Sequence, residues 1–432
     1  MSTPKRVVIV GGGFAGLACA QKLANDKRLE VTLIDRRNHH LFQPLLYQVA
    51  TASLAAPDIA RSLRGILSKA RNIRVVLDEA ASIDTKKREV RSADAVYPYD
   101  YLLLATGARS SFFGKDEWEE HTVGLKTLDD AQAIRRQVLT ALERAERCDD
   151  GEERRRLMTI VIVGGGPTGV ELAGAFSDLV RRALRSDFRS IDPARLRILL
   201  VQGGDRILKP YSPDLSEWAK RRLESLGVEV CLHTRVDEIE AGRVHLDSGE
   251  WIEAETIIWA AGVRATKLTA DLPGEKDNAG RVLVNPDLSV PGHREVFVAG
   301  DIAHVADEDG KEVPGLAPAA EQMGHHIAKV IKEDLRLEKT QYAGRKDEFR
   351  PAFRYFDKGI MAIIGKNCAV VEAGAFKLRG YPAWLMWLLI HLLFLIGFRN
   401  KLVVLLQWAW AYVVDKPGAR VITGTGKPEP VR

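Results

Sequence analysis

The residues with the clearest chemical signal form a glycine-rich stretch near the N-terminus. Gly11, Gly13 and Gly16 follow an apolar run with G-x-G-x-x-G spacing, and Asp35 ends the next apolar run. In such a motif the glycines turn the chain, admit a diphosphate and let helix and strand pack closely, while the acid accepts hydrogen bonds from a ribose. We expect a dinucleotide here; the alternative is a glycine-rich α/β turn without a ligand.

A second glycine motif of the same layout lies further along the chain. Gly164, Gly166 and Gly169 follow an apolar run, and the next run ends at Gln202. NAD-selective sites usually carry an acid there, which binds the ribose 2′-hydroxyl and repels a 2′-phosphate. Because an amide does not repel phosphate, we expect a preference for NADH with weaker discrimination against NADPH. Arg206 is either a contact for such a phosphate or a surface arginine.

A third strand end indicates which nucleotide stays bound. Gly300 and Asp301 close an apolar run, and a helix with Ala319 in its first turn follows. A carboxylate there suits the ribityl chain and phosphates of a flavin dinucleotide, and the helix N-terminus stabilises negative charge on the reduced ring. The alternative is a β-turn aspartate. Glu171, after the second glycine motif, either faces the nicotinamide or stabilises a helix N-terminus.

The composition restricts the class of protein. The 432 residues are 46% hydrophobic and 28% charged, with a net charge of +5 and no long basic run. This gives no support to nucleic-acid binding and argues weakly for an anionic membrane surface. The four cysteines lie far apart without a Cys-x-x-Cys pair, so neither a zinc ribbon nor a redox dithiol is indicated. Since five residues precede the first predicted strand, we expect no signal peptide and a reducing, cytosol-like compartment.

The order of the elements predicts the fold class. Strand, glycine turn, helix and strand follow one another twice, which predicts an α/β chain with two Rossmann-like, flavin disulfide-reductase-like domains. A C-terminal domain of β-strands and amphipathic helices should anchor the chain to a membrane. The expected domains are FAD-binding at 1–122 and 266–336, NAD(P)H-binding at 123–265 and membrane-anchoring at 337–432.

Local patterns predict several further elements. Helices are expected at 58–70, 126–148 and 213–226, a solvated connection at 149–156 and two or three antiparallel strands at 353–376.

The C-terminal tail is strongly apolar and interrupted once by charge. Residues 381–398 carry no full charge, Arg399 and Lys401 follow, and a second apolar run covers 402–414. Eighteen residues are at the lower limit for a membrane-spanning helix and thirteen are too few. Four tryptophans and the basic residues suit a membrane interface. Two helices in one leaflet are favoured over a transmembrane hairpin, and a soluble dimer interface is the third alternative.

No metal site is expected from the histidines. The pairs His39-His40 and His325-His326 have no partner at metal-ligand spacing and are interpreted as structural. His391, inside the apolar tail, is expected to be buried or interfacial.

Several segments together resemble one protein family. They are 11–16 (GGGFAG), 42–48 (FQPLLYQ), 105–107 (ATG), 164–174 (GGGPTGVELAG), 299–301 (AGD), 317–322 (APAAEQ), 353–365 (FRYFDKGIMAIIG) and 397–410 (GFRNKLVVLLQWAW). On these residues the chain resembles the type II NADH dehydrogenases, the single-subunit NADH:quinone oxidoreductases, over nearly its whole length. The glycine motifs are shared by many flavoproteins, whereas the 42–48 loop and the tail are more specific.

The resemblance implies a set of site residues. FAD would be bound by Gly11, Gly12, Gly13, Phe14, Ala15, Gly16, Asp35, Arg36, Gln43, Pro44, Leu45, Thr106, Gly107, Gly300, Asp301, Ala319 and Gln322. NADH would be bound by Gly164, Gly166, Thr168, Gly169, Glu171, Gln202 and Gly262. Gln48 and Gln322 would contact the quinone, and Glu171 and Gln322 would be catalytic. Gln202 departs from the glutamate that most members carry.

The resemblance also implies the activity. Hydride passes from NADH to FAD, and two electrons then reach a membrane quinone of the respiratory chain without proton pumping. The expected location is peripheral, on the cytoplasmic face of the cell inner membrane. The expected partners are lipid and quinone, with no nucleic acid; a homodimer is an open alternative. Rival functions are another flavin-dependent reductase, of the sulfide:quinone or ferredoxin type, and a non-catalytic NADH-sensing membrane protein.

Overall fold

Two sheets of parallel strands organise the chain. The computed structural model describes residues 3–185, 187–306, 310–338, 340, 348–414 and 419–422. The chain divides into two units, the first made of 1–41, 60–109 and 263–358 and the second of 42–59, 110–262 and 359–432. Each unit contains one parallel sheet with a glycine turn, which confirms the α/β class with two Rossmann-like parts. The assignment of FAD, NADH and anchoring domains to sequence ranges stays a prediction.

The first unit is built on a six-stranded sheet. In spatial order its strands are Ser289–Val290, His293–Val298, Tyr101–Leu104, Lys5–Val10, Leu29–Asp35 and Ile73–Leu77. Neighbours are parallel except for the pair at the Ser289–Val290 edge, which is antiparallel. The strand Lys5–Val10 lies inside the sheet and is buried over its last four residues. Because parallel strands place their carboxyl ends at one edge, three strand-to-turn connections meet there.

Shorter elements complete the first unit. Its other strands are His39–Leu41, Ala60–Ser62, Ser82–Asp84, Glu89–Arg91, Val96–Pro98, Ala108–Ser110, Val263–Ala265, Val282–Leu283 and Ala303–His304. Its helices are Phe14–Leu23, Leu63–Ile66, the 3₁₀ turn Lys267–Asp271 and Ala317–Leu337. The helices Phe14–Leu23 and Ala317–Leu337 pack closely at Gly324, which has no side chain. A Cβ at Gly324 would lie only 2.1 Å from the carbonyl oxygen of Ala15.

A buried ion pair ties the segment after the long helix to the sheet of the first unit. The Arg350 side chain is 1% exposed and bonds the Asp334 carboxylate through Nε at 3.0 Å and Nη2 at 2.5 Å. Its Nη1 donates to Asp287 at 3.0 Å, and the Tyr101 hydroxyl donates to Asp334 at 3.1 Å. Arg294 lies 3.5 Å from the same Asp287 carboxylate, so two arginines face two carboxylates and the charges compensate one another, as burial requires.

The second unit is built on a four-stranded parallel sheet. In spatial order its strands are Val228–Leu232, Arg197–Gln202, Thr159–Val163 and Thr256–Trp259. Thr159–Val163 is buried at every position, as expected for a strand that is covered on both faces. The helix Pro167–Asp178 follows it across the second glycine turn.

Further elements surround the second sheet. Ahead of the C-terminal segment, the second unit has three further strands, Val236–Glu240, Arg243–Leu246 and Trp251–Glu253. Its helices and turns are Gln43–Leu45, Leu46–Ala50, Ala56–Ile59, Asp116–Glu120, Leu128–Glu146, Gly151–Leu157, Leu179–Ala183, Pro193–Arg195 and Pro213–Ser225. Leu128–Glu146 begins at a capping box in which Thr127 and Asp130 exchange hydrogen bonds.

The C-terminal segment of the second unit contains an antiparallel sheet and two helices. The strands are Ile360–Ile363, Ala369–Ala373 and Phe376–Gly380, and the helices are Tyr381–Phe394 and Phe398–Val414. In the first helix Ala383, Trp387 and His391 form a buried stripe, whereas Tyr381, Leu385, Leu389 and Leu393 form an exposed one. In the second helix Phe398, Leu402, Leu405, Leu406, Trp410 and Val413 are exposed. No helix in the described part of the chain is long and apolar enough to cross a membrane.

Several element predictions are confirmed and others are corrected. The helices predicted at 126–148 and 213–226, the two tail helices and the burial of His391 are confirmed. The helix predicted at 58–70 is present only in part, as Leu63–Ile66 and the end of Ala56–Ile59. Ala60–Ser62 between them pairs with His39–Leu41 as a strand, because long-range pairing overrides local propensity. The strands predicted at 353–376 are present but begin at Ile360 and extend to Gly380.

The solvated connection predicted at 149–156 is wrong. This segment contains the helix Gly151–Leu157, whose N-cap Asp150 accepts hydrogen bonds from the N–H groups of Glu152 and Glu153. Acids in its first turn and arginines in its last complement the helix dipole, which was a readable helix signal.

Candidate functional site

The first glycine turn connects Lys5–Val10 to Phe14–Leu23. Gly11 has φ of +105°, and a Cβ there would lie 2.3 Å from the Ala105 carbonyl oxygen. A Cβ at Gly16 would lie 1.8 Å from the Gly11 carbonyl oxygen, so the helix packs directly on the turn. At Gly13, no atom of the described residues lies within 4 Å of the Cβ position. The turn therefore presents backbone N–H groups to open space at a helix N-terminus, which suits a diphosphate.

Asp35 and His40 hold this turn in place. Asp35 Oδ2 accepts the Gly12 N–H at 2.6 Å and Oδ1 accepts the Arg37 N–H at 2.7 Å. A carboxylate has further lone pairs, so Asp35 can still accept hydrogen bonds from a ribose. His40 is buried, and burial lowers its pKa, so the ring is neutral. Its Nδ1 lies 3.1 Å from the Gly12 carbonyl oxygen and must donate to it.

His40 lies beside the candidate site, and the sequence analysis interpreted it only as a structural residue. Its other ring nitrogen, Nε2, is buried without a hydrogen-bond partner among the described residues. A buried polar atom beside an open diphosphate cradle fits a site that is completed by a bound nucleotide. The Phe14 ring lies edge-on to His40, with 5.0 Å between ring centroids. The residues present therefore fit the dinucleotide that the first motif predicts, and with Gly300 and Asp301 at the same sheet edge they fit a flavin dinucleotide.

The sheet brings the other flavin candidates of the first unit to the same edge. Thr106 and Gly107 follow Tyr101–Leu104, and Gly300 and Asp301 follow His293–Val298, which are successive neighbours of the central strand. A Cβ at Gly300 would lie 3.5 Å from that of Ala320, in the first turn of Ala317–Leu337.

The remaining first-unit candidates differ in their surroundings. Ala319 is buried next to Ala320, and the Thr106 and Thr266 hydroxyls are 2.5 Å apart. Arg36 is exposed and forms an ion pair with Glu79 at 3.5 Å.

The second glycine turn repeats the geometry of the first at each of its three motif glycines. Gly164 has φ of +114°, and a Cβ there would lie 2.7 Å from the Ala260 carbonyl carbon. A Cβ at Gly169 would lie 1.9 Å from the Gly164 carbonyl oxygen, whereas that of Gly166 would meet nothing in the described residues within 4 Å. Thr168 lies in the first turn of Pro167–Asp178. The second unit therefore contains its own dinucleotide cradle.

Gln202 takes the place of Asp35 in the second turn. Its Oε1 accepts the Gly165 N–H at 2.8 Å, as Asp35 accepts that of Gly12. Because the backbone N–H can only donate, the amide oxygen is fixed and Nε2 is turned away, toward Gly204. Gln202 therefore offers a hydrogen-bond donor, where an acid would offer negative charge.

Two more side chains mark the surroundings of the second turn. Arg206 pairs with Asp205 at 3.7 Å and donates to the Lys209 carbonyl at 3.3 Å, as a surface arginine does. Phe113 is exposed, has φ of +53°, and lies where a Cβ at Gly262 would meet its ring at 2.6 Å. A non-glycine residue at positive φ is strained, and sequence patterns gave no sign of it.

Glu171 lies in the second turn of its helix, which excludes the simple helix N-terminal role weighed from the sequence. Pro167–Asp178 has no acid in its first turn. Burial raises the pKa of Glu171 to about 8, while the backbone of Ile363 lowers it in part. The carboxyl group therefore keeps its proton at neutral pH, and a group of this kind can give a proton to a reacting oxygen.

Gln48 is the central member of a buried hydrogen-bonded chain in the second unit. Trp408 Nε1 donates to Gln48 Oε1 at 2.8 Å, and Gln48 Nε2 donates to the Tyr47 hydroxyl at 2.8 Å. One Nε2 hydrogen of Gln48 remains for a ligand. Gln43, Pro44 and Leu45 form the 3₁₀ turn just before, with Leu45 fully buried.

Gln322 belongs to the first unit and has both ends of its amide engaged. Its Nε2 donates to the Phe356 carbonyl at 3.0 Å, and its Oε1 accepts the Phe356 N–H at 2.9 Å. This pairing fixes the amide on the helix Ala317–Leu337 and leaves one amide hydrogen for a ligand. The roles of Gln322 and Gln48 at a quinone stay predictions.

The four cysteines form no disulfide, and burial makes three of them less reactive. All four are unpaired, and burial raises the pKa of Cys19 to about 12. Burial also raises the pKa values of Cys231 and Cys368. A thiol with a raised pKa is a poor nucleophile, which argues against the sulfide-oxidising rival. The described residues contain no group of three or more His, Cys, Asp or Glu that could hold a metal ion.

Comparison with known proteins assigns the family. The pyridine nucleotide-disulphide oxidoreductase family matches residues 5–324. The type II NADH:quinone oxidoreductase Ndh of Mycobacterium tuberculosis is 40% identical over 430 residues, which cover 97% of this chain and 90% of that protein. The chain belongs to the type II NADH:quinone oxidoreductase family. NdhA of the same organism, also a type II NADH:quinone oxidoreductase, is 41% identical over 432 residues, 97% of this chain and 89% of that protein.

The fold of this type II family member is also found in a solved structure. NDH2 from Plasmodium falciparum, solved in complex with NADH, matches with a TM-score of 0.87 over 96% of this chain and 99% of that chain. At 19% identity this likeness establishes a common fold.

Proposed function

We propose that the protein carries electrons from NADH through bound FAD to a membrane quinone, without pumping protons. The observation that carries the proposal is the pair of dinucleotide cradles in a chain that matches type II NADH:quinone oxidoreductases over 97% of its length. Two cradles in one chain suit one resident and one exchanging nucleotide. We assign FAD to the first unit and NADH to the second.

The first unit would hold the flavin. FAD, when bound, accepts a hydride from a nicotinamide and passes its two electrons on. The N–H groups at Gly11–Gly16 would bind its diphosphate, Asp35 its ribose and Asp301 its ribityl side. The N-terminus of Ala317–Leu337 would stabilise negative charge on the reduced ring. Phe356 fixes the amide of Gln322, and the remaining amide hydrogen would contact the flavin ring or the quinone.

The second unit would hold the electron donor. The turn from Gly164 to Gly169 would bind the diphosphate of NADH, and Gln202 would donate to the ribose 2′-oxygen. Since Gln202 brings no negative charge, NADPH would be accepted as a weaker donor.

Glu171 would supply a proton during quinone reduction. Two electrons and two protons convert a quinone to a quinol, and the acceptor oxygens need a proton source. The raised pKa keeps Glu171 protonated at neutral pH, so it can donate and be refilled from water.

The two tail helices would attach the protein to the cytoplasmic face of the inner membrane. Their exposed side chains form apolar stripes at helical spacing, unlike the polar faces of ordinary surface helices. We propose lipid, rather than a second copy of the chain, as the occupant of these stripes.

The test uses the full-length protein with its flavin. The purified protein should show flavin absorbance, oxidise NADH slowly alone and oxidise it rapidly with a soluble quinone. Absence of flavin, or a rate independent of quinone, would reject the proposal. A protein that binds NADH but does not turn over would instead be the sensing type.

A further inference from the structure

We infer that the Tyr47 hydroxyl donates a hydrogen bond to a carbonyl oxygen of the quinone head group, and that Trp408 sets its direction through Gln48. The inference rests on the proposed quinone reductase function. It adds one residue that contacts the substrate and one positioning residue, Trp408, on the second tail helix.

The direction of the hydrogen bonds follows from chemistry alone. An indole N–H can only donate, so the Gln48 atom 2.8 Å from Trp408 Nε1 must be the amide oxygen. The amide nitrogen of Gln48 must then face Tyr47, 2.8 Å away, and it must donate. The Tyr47 oxygen therefore accepts, and its own hydrogen points elsewhere.

The hydrogen of the Tyr47 hydroxyl is left without an acceptor in the described residues. Tyr47 is 4% exposed and Gln48 is 6% exposed, so this hydroxyl belongs to the buried polar groups of the second unit. Buried donors are normally paired, and an unpaired one at a candidate site indicates a ligand. A quinone carbonyl is an acceptor without a hydrogen of its own, and it is therefore complementary to this end of the chain.

The surroundings of Tyr47 suit an aromatic head group and a proton source. The Trp387 ring lies edge-on at 6.4 Å between centroids. The helix Leu46–Ala50 packs on Pro167–Asp178, which carries Glu171, and the Glu171 charge acts on Tyr47. Glu171 therefore lies on a helix that packs against the helix of Tyr47, and service of the Tyr47 hydroxyl to Glu171 is the competing outcome of the test.

The second tail helix holds the Tyr47 loop at further points. Asn400 donates to the carbonyl oxygens of Pro57 and Asp58 at 3.2 and 2.9 Å, and Gln407 donates to the Asp58 carboxylate at 3.0 Å. Thr51 donates to the Tyr47 carbonyl at 2.9 Å. The loop is therefore fixed relative to Trp408, and the seating of this helix determines where the Tyr47 hydroxyl points.

The test removes single hydrogen-bonding groups and keeps the rings. Tyr47→Phe should raise the KM for a soluble quinone about threefold to tenfold, the range expected for one hydrogen bond. The KM for NADH, flavin content and NADH oxidation by ferricyanide should stay unchanged. Trp408→Phe should act in the same direction but less strongly. The double variant should be no worse than Tyr47→Phe, because both changes break one chain.

Matched controls separate this effect from general loss of structure. Tyr97→Phe removes a phenol hydroxyl bonded to Asp78 in the first unit, and Trp218→Phe replaces an indole whose ring lies near Arg379. Both controls should keep the quinone KM of the wild type, and all five variants should be compared by thermal melting.

The outcomes distinguish the inference from the function on which it rests. If the wild type reduces quinone and Tyr47→Phe leaves the quinone KM unchanged, the inference is wrong and the function stands. If Tyr47→Phe alters only the pH profile of kcat, the hydroxyl serves Glu171 and the inference is also wrong. A wild type without quinone-dependent turnover rejects the function itself.

Discussion

Asp35 and Gln202 occupy the same place in two copies of one turn and differ in charge. Each accepts the N–H of the middle glycine, at 2.6 and 2.8 Å respectively. The bond that shapes the turn therefore needs only an acceptor oxygen, which an amide supplies as well as a carboxylate. The charge at this position is not needed for the turn and affects only the bound nucleotide. Nucleotide selectivity can therefore change without a change in the local structure.

Gln202→Glu should restore selectivity for NADH. The carboxylate would still accept the Gly165 N–H but would repel a 2′-phosphate. We expect kcat/KM for NADPH to fall about tenfold or more, equivalent to about 1.4 kcal/mol, with little change for NADH. Arg206→Gln is the control and should leave the ratio unchanged, because Asp205 and Lys209 already engage this arginine. Equal losses for both nucleotides would contradict the assignment.

Glu171→Gln should remove one pH dependence of the free energy of unfolding and of quinone turnover. The folded protein holds this proton up to about pH 8, whereas an unfolded carboxyl releases it near 4.5. The free energy of unfolding should therefore fall as pH rises between these values and level off above pH 8. Quinone turnover of the wild type should decline above pH 8 as the proton is lost. Parallel profiles of kcat and melting temperature in variant and wild type would argue against this role.

At the scale of elements, the two strand–turn–helix units were predictable and the Tyr47–Trp408 chain was not. Glycine spacing reports directly on local backbone geometry, since a Cβ at Gly16 has no room. Gln48 and Trp408 are 360 positions apart, and no local pattern encodes their contact. The strand Ala60–Ser62 was missed for the same reason, because its partner His39–Leu41 decides its conformation.

Two glycines of the first turn should respond differently to alanine. Gly16→Ala places a Cβ 1.8 Å from a backbone oxygen and should destabilise the folded protein by about 1–3 kcal/mol, with loss of flavin. Gly13→Ala meets no atom of the described residues within 4 Å and keeps an ordinary φ of −71°. It should fold normally and bind flavin more weakly, because its methyl group enters the cofactor space. Flavin titration and melting of the apoprotein measure the two effects, and identical behaviour would refute the cradle.

At the scale of the whole molecule, apolar stripes on two consecutive helices stand out from the rest of the surface. The stripe Tyr381, Leu385, Leu389 and Leu393 repeats every four residues, opposite the buried Ala383, Trp387 and His391. The sequence showed that the tail is apolar, but only packing shows which side of each helix is covered. Trp387 and His391 stack at 3.9 Å, and burial lowers the pKa of His391 to about 4, so this stripe carries no charge.

Replacing three exposed leucines should weaken membrane attachment. Leu389→Gln, Leu402→Gln and Leu406→Gln should each remove about 1 kcal/mol of apolar burial in the membrane. The triple variant should therefore bind vesicles about 100-fold more weakly. Sedimentation with anionic vesicles measures this, while NADH oxidation by ferricyanide should persist. Val96→Gln, at an exposed apolar position of the first unit, is the control. If the triple variant sediments like the wild type, the attachment surface lies elsewhere.

The buried Arg350 has an evolutionary consequence. Losing Arg350, Asp334 or Asp287 would leave one buried charge of this cluster uncompensated inside the first unit, at a cost of about 3–5 kcal/mol. Stepwise replacement of Arg350, Asp334 or Asp287 would therefore pass through poorly folded intermediates. Natural variation at these positions should be coupled, so that descendants keep all three residues or exchange them as a set. The segment that seats Gln322 through Phe356 would then be inherited together with a charge cluster inside the first unit.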